Sequence, residues 1–410
     1  MPKFKKIFEV PLVIRIAIGL ALGVVLGLLC PKATFIAGLG KLFISALKAV
    51  APILVFFLVI SSLSSAGKNL GARFRNVIAL YLVSTLIAAI VAVGASYLFP
   101  VKVNLVNAAE NSAPGSLSEV FGTLLNNMVM NPISALINGN YVGILFWAIL
   151  VGLSVRKFTD DNTKAVLCDI SNAISMIISW IIQAAPFGIL GIAFETVSQN
   201  GIGIFTSYGK LIAVLLGCMF FQALIMNPII VGICLRKNPY PLVFKCLRES
   251  AITAFFTRSS AANIPINMAL CEKLELDKDF YSVSIPLGAT INMDGAAITI
   301  TVMSLAAAYS TGIQVNIVMA MLLSFVATLG ACGASGVAGG SLLLIPMACS
   351  MLGVAPDAAM QMVSIGFIIG IIQDSVETAL NSSSDVLITA TADYMEKRKA
   401  ENKEITQPEH

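Results

Sequence analysis

Apolar residues along this chain come in long unbroken blocks, not in the alternation of a half-buried strand or the one-sided stripe of a soluble helix. Blocks near 12–29, 42–66, 76–99, 139–155, 170–194 and 206–235 are each of a length to cross about 30 Å of hydrocarbon as a helix. They predict six spans. The first follows a basic N-terminus, as in a secretory leader, but 12–29 is long enough to span and has no clear small-residue cleavage site, so it is read as a span. After residue 244 the pattern changes. Ala254–Leu270 is broken at Arg258-Ser259-Ser260-Ala261-Ala262-Asn263, and Val318–Met351 is broken between Gly330 and Ser341 by a stretch with five glycines and no charge. Each half is roughly 10–15 residues, too short to cross, which predicts two re-entrant helical hairpins. Irregular backbone at that depth needs protein or a water-lined cavity around it.

Each hairpin is followed by one long apolar span, at 282–310 and 358–394. The expected fold is therefore an all-α polytopic membrane protein with eight transmembrane helices and two re-entrant hairpins. Counting crossings, the first hairpin opens inside and the second outside. The two hairpin-plus-span units are then inverted repeats, an arrangement associated with transporters whose site lies between the repeats. Reading the Gly-rich tips as mere helix-packing motifs leaves their polar residues unexplained.

Charge orients these elements. Lys3, Lys5, Lys6 and Arg15, then Lys68, Arg73 and Arg75, then Arg156 and Lys157, then Arg236 and Lys237 fall on alternate loops, which places them and the N-terminus in the cytoplasm. Lys397, Arg398, Lys399 and Lys403 put the C-terminus there too, with 396–410 expected as a disordered polar tail. The segment from Lys102 to Asn138 reads as a loop on the opposite face. Composition excludes a soluble domain: 57% of the 410 residues are hydrophobic and 12% charged, with a mean hydropathy of +0.89. A net charge of +4 gathered at loop ends gives no support to a nucleic-acid partner. Eight cysteines without a C-x-x-C pair write no local zinc site or redox dithiol and read as small core packers.

The chemistry lies in charges that lipid should exclude. Between Lys278 and Lys397 there is no Lys or Arg, yet Asp294, Asp374, Glu377 and Asp385 lie within expected spans, with Asp357 at a loop. A carboxylate in a span is costly and by default functional. Arg258, at the first tip, is the only basic side chain placed to reach them, so either some acids are protonated or mobile cations sit among them. Thr378, Asn381 and Asp385 fall within roughly 40° of Asp374 around one helix, and Glu377 lies about 60° to one side. Thr290, Asn292, Met293, Asp294 and Gly295 put polar groups and a flexible Gly in mid-span, where an unwound turn frees carbonyls for a hard cation. Freed amides and helix N-termini at the hairpin tips suit a carboxylate. Together these fit a zwitterion plus metal ions; the alternative for any one acid is a buried, hydrogen-bonded structural group. Tyr81, Ser84 and Thr85 either line one face near Asp294 or bond their own helix.

At these residues the chain resembles the dicarboxylate/amino acid:cation symporter family, whose members carry glutamate, aspartate or neutral amino acids. The resemblance covers nearly the whole chain and rests on Thr257-Arg258-Ser259-Ser260, on Pro286-Leu287-Gly288-Ala289-Thr290-Ile291-Asn292-Met293-Asp294-Gly295, on the second tip, and on Asp374 to Asp385. It implies a homotrimer in a bacterial inner membrane, working as an elevator with Na⁺ as the coupling ion. Residues 1–75 and 101–205 would form the scaffold and external loop, and 76–100 and 206–395 the moving transport domain. It implies that Asp374 holds a substrate ammonium, that Asn381, Ser260 and hairpin amides hold its carboxylate, and that Thr378, Arg258, Ser259 and Gly336 line the same pocket. One sodium site would use Asn292, Asp385 and backbone at Gly288 and Asn381; a second Tyr81, Ser84, Thr85, Asn292 and Asp294; a third backbone near Thr290 and Thr328.

Two departures shape the expected substrate. Where acidic-substrate members place an Arg, this chain has Glu377, and where they often have Thr after Asn-Met-Asp-Gly it has Ala296. Both remove groups suited to an anionic side chain, and Glu377 adds repulsion, so a neutral substrate is expected. Either Glu377 accepts a hydrogen bond from a substrate hydroxyl, favouring L-serine and L-threonine over alanine, or it pairs with Arg258. Ala331 also stands in place of a hydroxyl residue at the second tip, which weakens the third sodium site. An enzyme is not expected: the single His is His410 in the tail and no Lys lies near the tips, so Ser-His and Ser-Lys arrangements are unsupported. A passive channel lined by the same polar groups is the rival reading.

Overall fold

In a computed structural model of the chain, residues 12–65, 72–105, 126, 128–138, 140–158, 160–201, 204–332, 334 and 339–406 are described. Lys3, Lys5, Lys6, Lys68, Gly336, His410 and most of the segment expected as an external loop lie outside them. Among the described residues all regular structure is helical: α1 (Leu12–Leu29), α2 (Ala37–Ser65), α3 (Ala72–Leu98), α4 (Pro132–Asn138), α5 (Tyr141–Phe158), α6 (Asp161–Gln183), α7 (Ala185–Asn200) and α8 (Ile204–Phe221). α8 continues through a π-turn, Gln222–Met226, into α9 (Asn227–Leu235). Six helical stretches among the described residues are long and apolar enough to cross a membrane: Thr34–Ser61, Arg73–Leu98, Asp161–Gln183, Tyr208–Leu235, Lys278–Ser310 and Pro356–Arg398.

Prolines account for two interruptions. The block at 170–194, expected as one span, is two helices that meet at Ala184. Pro186 in the first turn of α7 has no N–H to continue the ladder back into α6, and restarting a helix is the one place where that loss is harmless. In α9, Pro228 likewise leaves the Leu224 carbonyl without its helical donor. The Tyr240 hydroxyl donates to that carbonyl at 3.3 Å.

The C-terminal half follows the broken pattern. The first hairpin runs α10 (Tyr240–Cys246), a π-turn at Leu247–Ala251, α11 (Ile252–Thr257), and back through α12 (Ser260–Lys273). α13 (Lys278–Ile291) and α14 (Asp294–Ser310) form one span interrupted at Asn292-Met293. The second hairpin enters as α15 (Ile317–Ala331) and returns as a 3-10 turn, Ser341–Leu344, and α16 (Ile345–Met351). α17 (Pro356–Thr406) is a single helix. Its length corrects the expected disordered tail, since 396–406 is helical. The run Glu396-Lys397-Arg398-Lys399-Ala400-Glu401 is rich in strong helix formers, and two of its charges are anchored: Lys397 lies 3.0 Å from Asp393 one turn back, and Arg398 donates to the Leu235 carbonyl at 2.7 Å.

The helices pack as two groups. In one, α1 lies along α7, and α2 lies against α5, α6 and α7. Gly19, Gly23 and Gly27 form the α1 seam. A Cβ on Gly19 would collide with the Pro186 carbonyl and one on Gly23 with the Leu190 carbonyl, so small residues let the backbones approach where lipid supplies no hydrophobic drive. In the other group α14 is the axis, buried from Asp294 to Ala308 and surrounded by α3, α8, α15 and α17. The groups touch where α16 meets α5 and where the Phe43 and Phe367 rings sit edge to face, centroids 5.5 Å apart.

Candidate substrate and cation site

Both hairpin tips end on one carboxylate. α11 stops at Arg258, whose φ of 52° puts a non-glycine residue in the left-handed region, where its N–H still closes the last turn on the Ala254 carbonyl. That conformation costs about 1 kcal/mol or more and persists where surroundings hold it. The next residue restarts the chain: the Ser259 hydroxyl caps α12 by accepting from the Ala262 N–H at 3.2 Å. The Arg258 guanidinium then donates to Asp374 through Nε at 2.8 Å and Nη2 at 2.7 Å. From the second hairpin the Gly339 N–H donates to the other oxygen of Asp374 at 3.2 Å. Arg258 is 9% exposed and Asp374 2%, so the pair is withdrawn from water and each charge depends on the other.

Glu377, one turn along, does not pair with Arg258, which corrects that alternative. Arg258 is spent on Asp374, and Glu377 Oε2 accepts from Thr299 at 2.6 Å, Ser341 at 2.9 Å and Gln373 at 2.5 Å. The Thr378 hydroxyl back-bonds to the Asp374 carbonyl at 2.8 Å, and Asn381 Oδ1 accepts from the Gly295 N–H at 2.7 Å. Ser260 is buried at the start of α12. The anticipated pocket residues Arg258, Ser259, Ser260, Asp374, Glu377, Thr378 and Asn381 thus belong to, or lie next to, one junction of α12, α14, α17 and the hairpin tips. Gly336 lies outside the described residues.

The interruption of the α13–α14 span works by exchanging partners. Asn292 and Met293 leave helical dihedrals, so the Gly295 N–H goes to Asn381 in place of the Ile291 carbonyl. That carbonyl accepts a weak hydrogen bond from the Cys332 thiol at 3.5 Å. Asn292 Nδ2 reaches Ser384 at 2.7 Å and Asp385 Oδ1 at 2.9 Å. Asn292 Oδ1 and Asp385 Oδ2 are buried without a hydrogen-bond partner among the described residues. Two orphaned acceptors on a pair of hydrogen-bonded residues are costly as they stand and are of the type that suits a hard cation. A Cβ on Gly288 would sit 2.8 Å from both Asp385 Oδ1 and the Tyr81 hydroxyl, so only glycine leaves that space.

Asp294 has a pocket of its own. Ser84 donates to it at 2.8 Å and Thr85 at 3.3 Å, which decides their orientation in favour of facing Asp294. Tyr81, expected in the same group, is instead in contact with Thr389 at 2.8 Å and donates to the Ser284 carbonyl at 3.1 Å; it shares their face of α3 but lies about one turn earlier along the axis, level with α13 and α17. Sequence reasoning missed Gln222 and Asn227, whose amides reach Asp294 at 3.4 and 3.3 Å. The signal was present as two amides in an otherwise apolar span, brought to one side by the π-turn. The Thr290 and Thr328 hydroxyls bond their own helices, to Leu287 and Ser324. Asp393, also overlooked, is fully buried with Arg73 at 3.2 Å and Lys397 at 3.0 Å.

A polar lock holds the first hairpin to α17. Asn263 donates to Ser382 at 2.8 Å, Asn267 to the Ser382 carbonyl at 3.0 Å, and Ser250 to Asn267 at 2.6 Å. A cavity of about 830 Å³ between α3 and α8 is elsewhere and is lined mostly by apolar residues such as Val91, Leu98, Val214 and Phe221. It offers no polar set for a zwitterion. The site is the junction of acids, amides and broken helices.

Comparison with known protein families matches residues 12–395 to the sodium:dicarboxylate symporter family. The chain belongs to this family. Among symporter relatives, a serine/threonine transporter SstT of Bifidobacterium adolescentis is 57% identical over 384 residues, 93% of this chain and 89% of the relative. A protein of the same name from Streptococcus agalactiae is 54% identical over 396 residues, 96% of this chain and 98% of the relative. Membership agrees with the all-helical, multi-pass architecture and excludes the enzymatic readings. Within the symporter family's dicarboxylate theme, Glu377 is the conspicuous residue, an acid at the heart of the site.

Proposed function

We propose that the chain is a sodium-coupled symporter importing serine and threonine across a bacterial inner membrane. The observation that carries this reading is the convergence of both hairpin tips on Asp374. It provides a buried anion for an ammonium, with the Asn381 amide group and the N-terminus of α12 beside it for a carboxylate. Family membership and two relatives named as serine/threonine transporters support it. Buried carboxylates short of fixed counter-charges support a coupling cation, and the family's sodium theme supports sodium: among the described residues the hydrogen-bond partners of Asp294 and Asp385 are hydroxyls and amides. Sodium would lie between Asp385, Asn292 and the space kept by Gly288, and again at Asp294 with Ser84 and Thr85. The group α1, α2, α5, α6 and α7 would be the scaffold of a homotrimer. The group built on α14 and α17 would move past it as an elevator, carrying site and ions together. Both termini would be cytoplasmic.

Labelled serine should accumulate in proteoliposomes under an inward sodium gradient and not when choline replaces sodium. Unlabelled threonine should compete, and aspartate should not. Equal uptake in choline would remove the sodium assignment, and downhill flux without accumulation would make the protein a channel.

A further inference from the structure

Glu377 binds its three protein donors asymmetrically. Thr299 on α14, Ser341 at the return of the second hairpin and Gln373 on α17 all reach Oε2. Oε1 accepts from no described residue. The donors also brace each other, because the Gln373 amide donates to the Thr299 hydroxyl at 2.7 Å while that hydroxyl donates to the carboxylate. Gly295 makes the approach possible: a Cβ there would lie 2.9 Å from Glu377 Cα and Cγ, and Thr299 is one helical turn further along the same face. A carboxylate can accept about four hydrogen bonds. Here three are gathered on one oxygen, which sets the rotamer and leaves the second oxygen without a described donor, on a residue three positions along α17 from Asp374.

We propose that Thr299, Ser341 and Gln373 are positioning residues for substrate selectivity. By occupying Oε2 they fix Glu377 so that Oε1 accepts the hydroxyl hydrogen of serine or threonine bound by its ammonium to Asp374. This rests on the serine/threonine reading and deepens it. Alanine has no hydroxyl and does not use Oε1. An acidic side chain would meet a carboxylate whose donors are already committed.

The test compares serine and alanine in full-length protein reconstituted in proteoliposomes, measuring sodium-driven uptake of labelled serine and its inhibition by unlabelled alanine. In Thr299→Val and Gln373→Met the serine half-saturation constant should rise about tenfold, the worth of one charge-assisted hydrogen bond. The alanine inhibition constant should stay within about twofold. Thr299→Ser, which keeps the hydroxyl, should restore serine affinity and so separates positioning from damage to the fold. Parallel weakening of serine and alanine, or no change in either, overturns the proposal. Loss of serine preference in Glu377→Gln but not in the Thr299 and Gln373 variants overturns positioning and leaves the serine/threonine reading standing. Failure of the unaltered protein to prefer serine over alanine removes the hydroxyl contact on which the proposal depends.

Discussion

Arg258 and Asp374, 116 positions apart in the chain, form a two-bonded ion pair at 2.7 and 2.8 Å where the hairpin tips meet. The carboxylate assigned to a substrate ammonium thus holds a guanidinium from the protein itself. A buried acid left unpaired costs several kcal/mol, so on the proposed reading Asp374 would exchange Arg258 for the substrate ammonium when cargo is loaded.

That exchange of partners predicts a division between two transport modes. Arg258→Met should slow net serine uptake into empty proteoliposomes at least tenfold, because the empty site must then cross with Asp374 uncompensated. Exchange of external labelled serine for internal serine should fall much less. Equal loss in both modes would show that Arg258 acts in binding and not in the return step. Asp374→Asn should abolish both.

Sodium dependence should follow Asp294. Asp294→Asn should raise the sodium concentration for half-maximal uptake more than tenfold. Gln222→Leu removes one donor to the same carboxylate and should shift it several-fold, with serine affinity unchanged at saturating sodium. A sodium titration of serine uptake reads both. An unaltered curve in Asp294→Asn would dismiss this pocket as an ion site.

The seam between α1 and α7 should tolerate no side chain. Gly23→Val drives a Cβ against the Leu190 carbonyl and to 2.9 Å from the Ala193 Cβ, so its melting temperature in detergent should fall by several degrees. Gly94→Ala, where a Cβ meets nothing within 4 Å, should be neutral or slightly stabilising, since alanine is the better helix former.

Acid should weaken the junction of α3 and α13. The hydrogen bond from Arg73, at 2.6 Å, holds the Asp277 carboxyl below its usual range, helped by N–H groups of Phe280 and Asp279. The folded state therefore binds that proton less tightly than the unfolded one. Its contribution is complete above about pH 4 and is lost as pH falls through the depressed value. Asp277→Asn keeps a capping residue and should melt below the unaltered protein at pH 7, with the gap closing on acidification. A gap independent of pH would assign it to capping alone. Half-exposed as the pair is, the gap should also narrow in high salt.

Much of this protein is legible in one dimension because lipid imposes local rules. A chain in hydrocarbon must satisfy its backbone within each helix, so the helical class, most of the long apolar helices, the two broken segments and the interruption at Asn292-Met293 follow from runs of apolar residues and their polar gaps, while the break at Ala184 within 170–194 does not. Asp294, Asp374, Glu377 and Asp385 were conspicuous for the same reason. The tertiary structure decided which partner each acid has: Arg258 took Asp374 and not Glu377, Tyr81 went to Thr389 and Ser284 and not to Asp294, and Gln222 and Asn227 entered the Asp294 pocket through a π-turn. Pairings across 70 or more positions, such as Gln222 with Asp294, depend on the packing angles and rotations of whole helices. No local pattern carries those, because they are set by the fit of one helix surface to another.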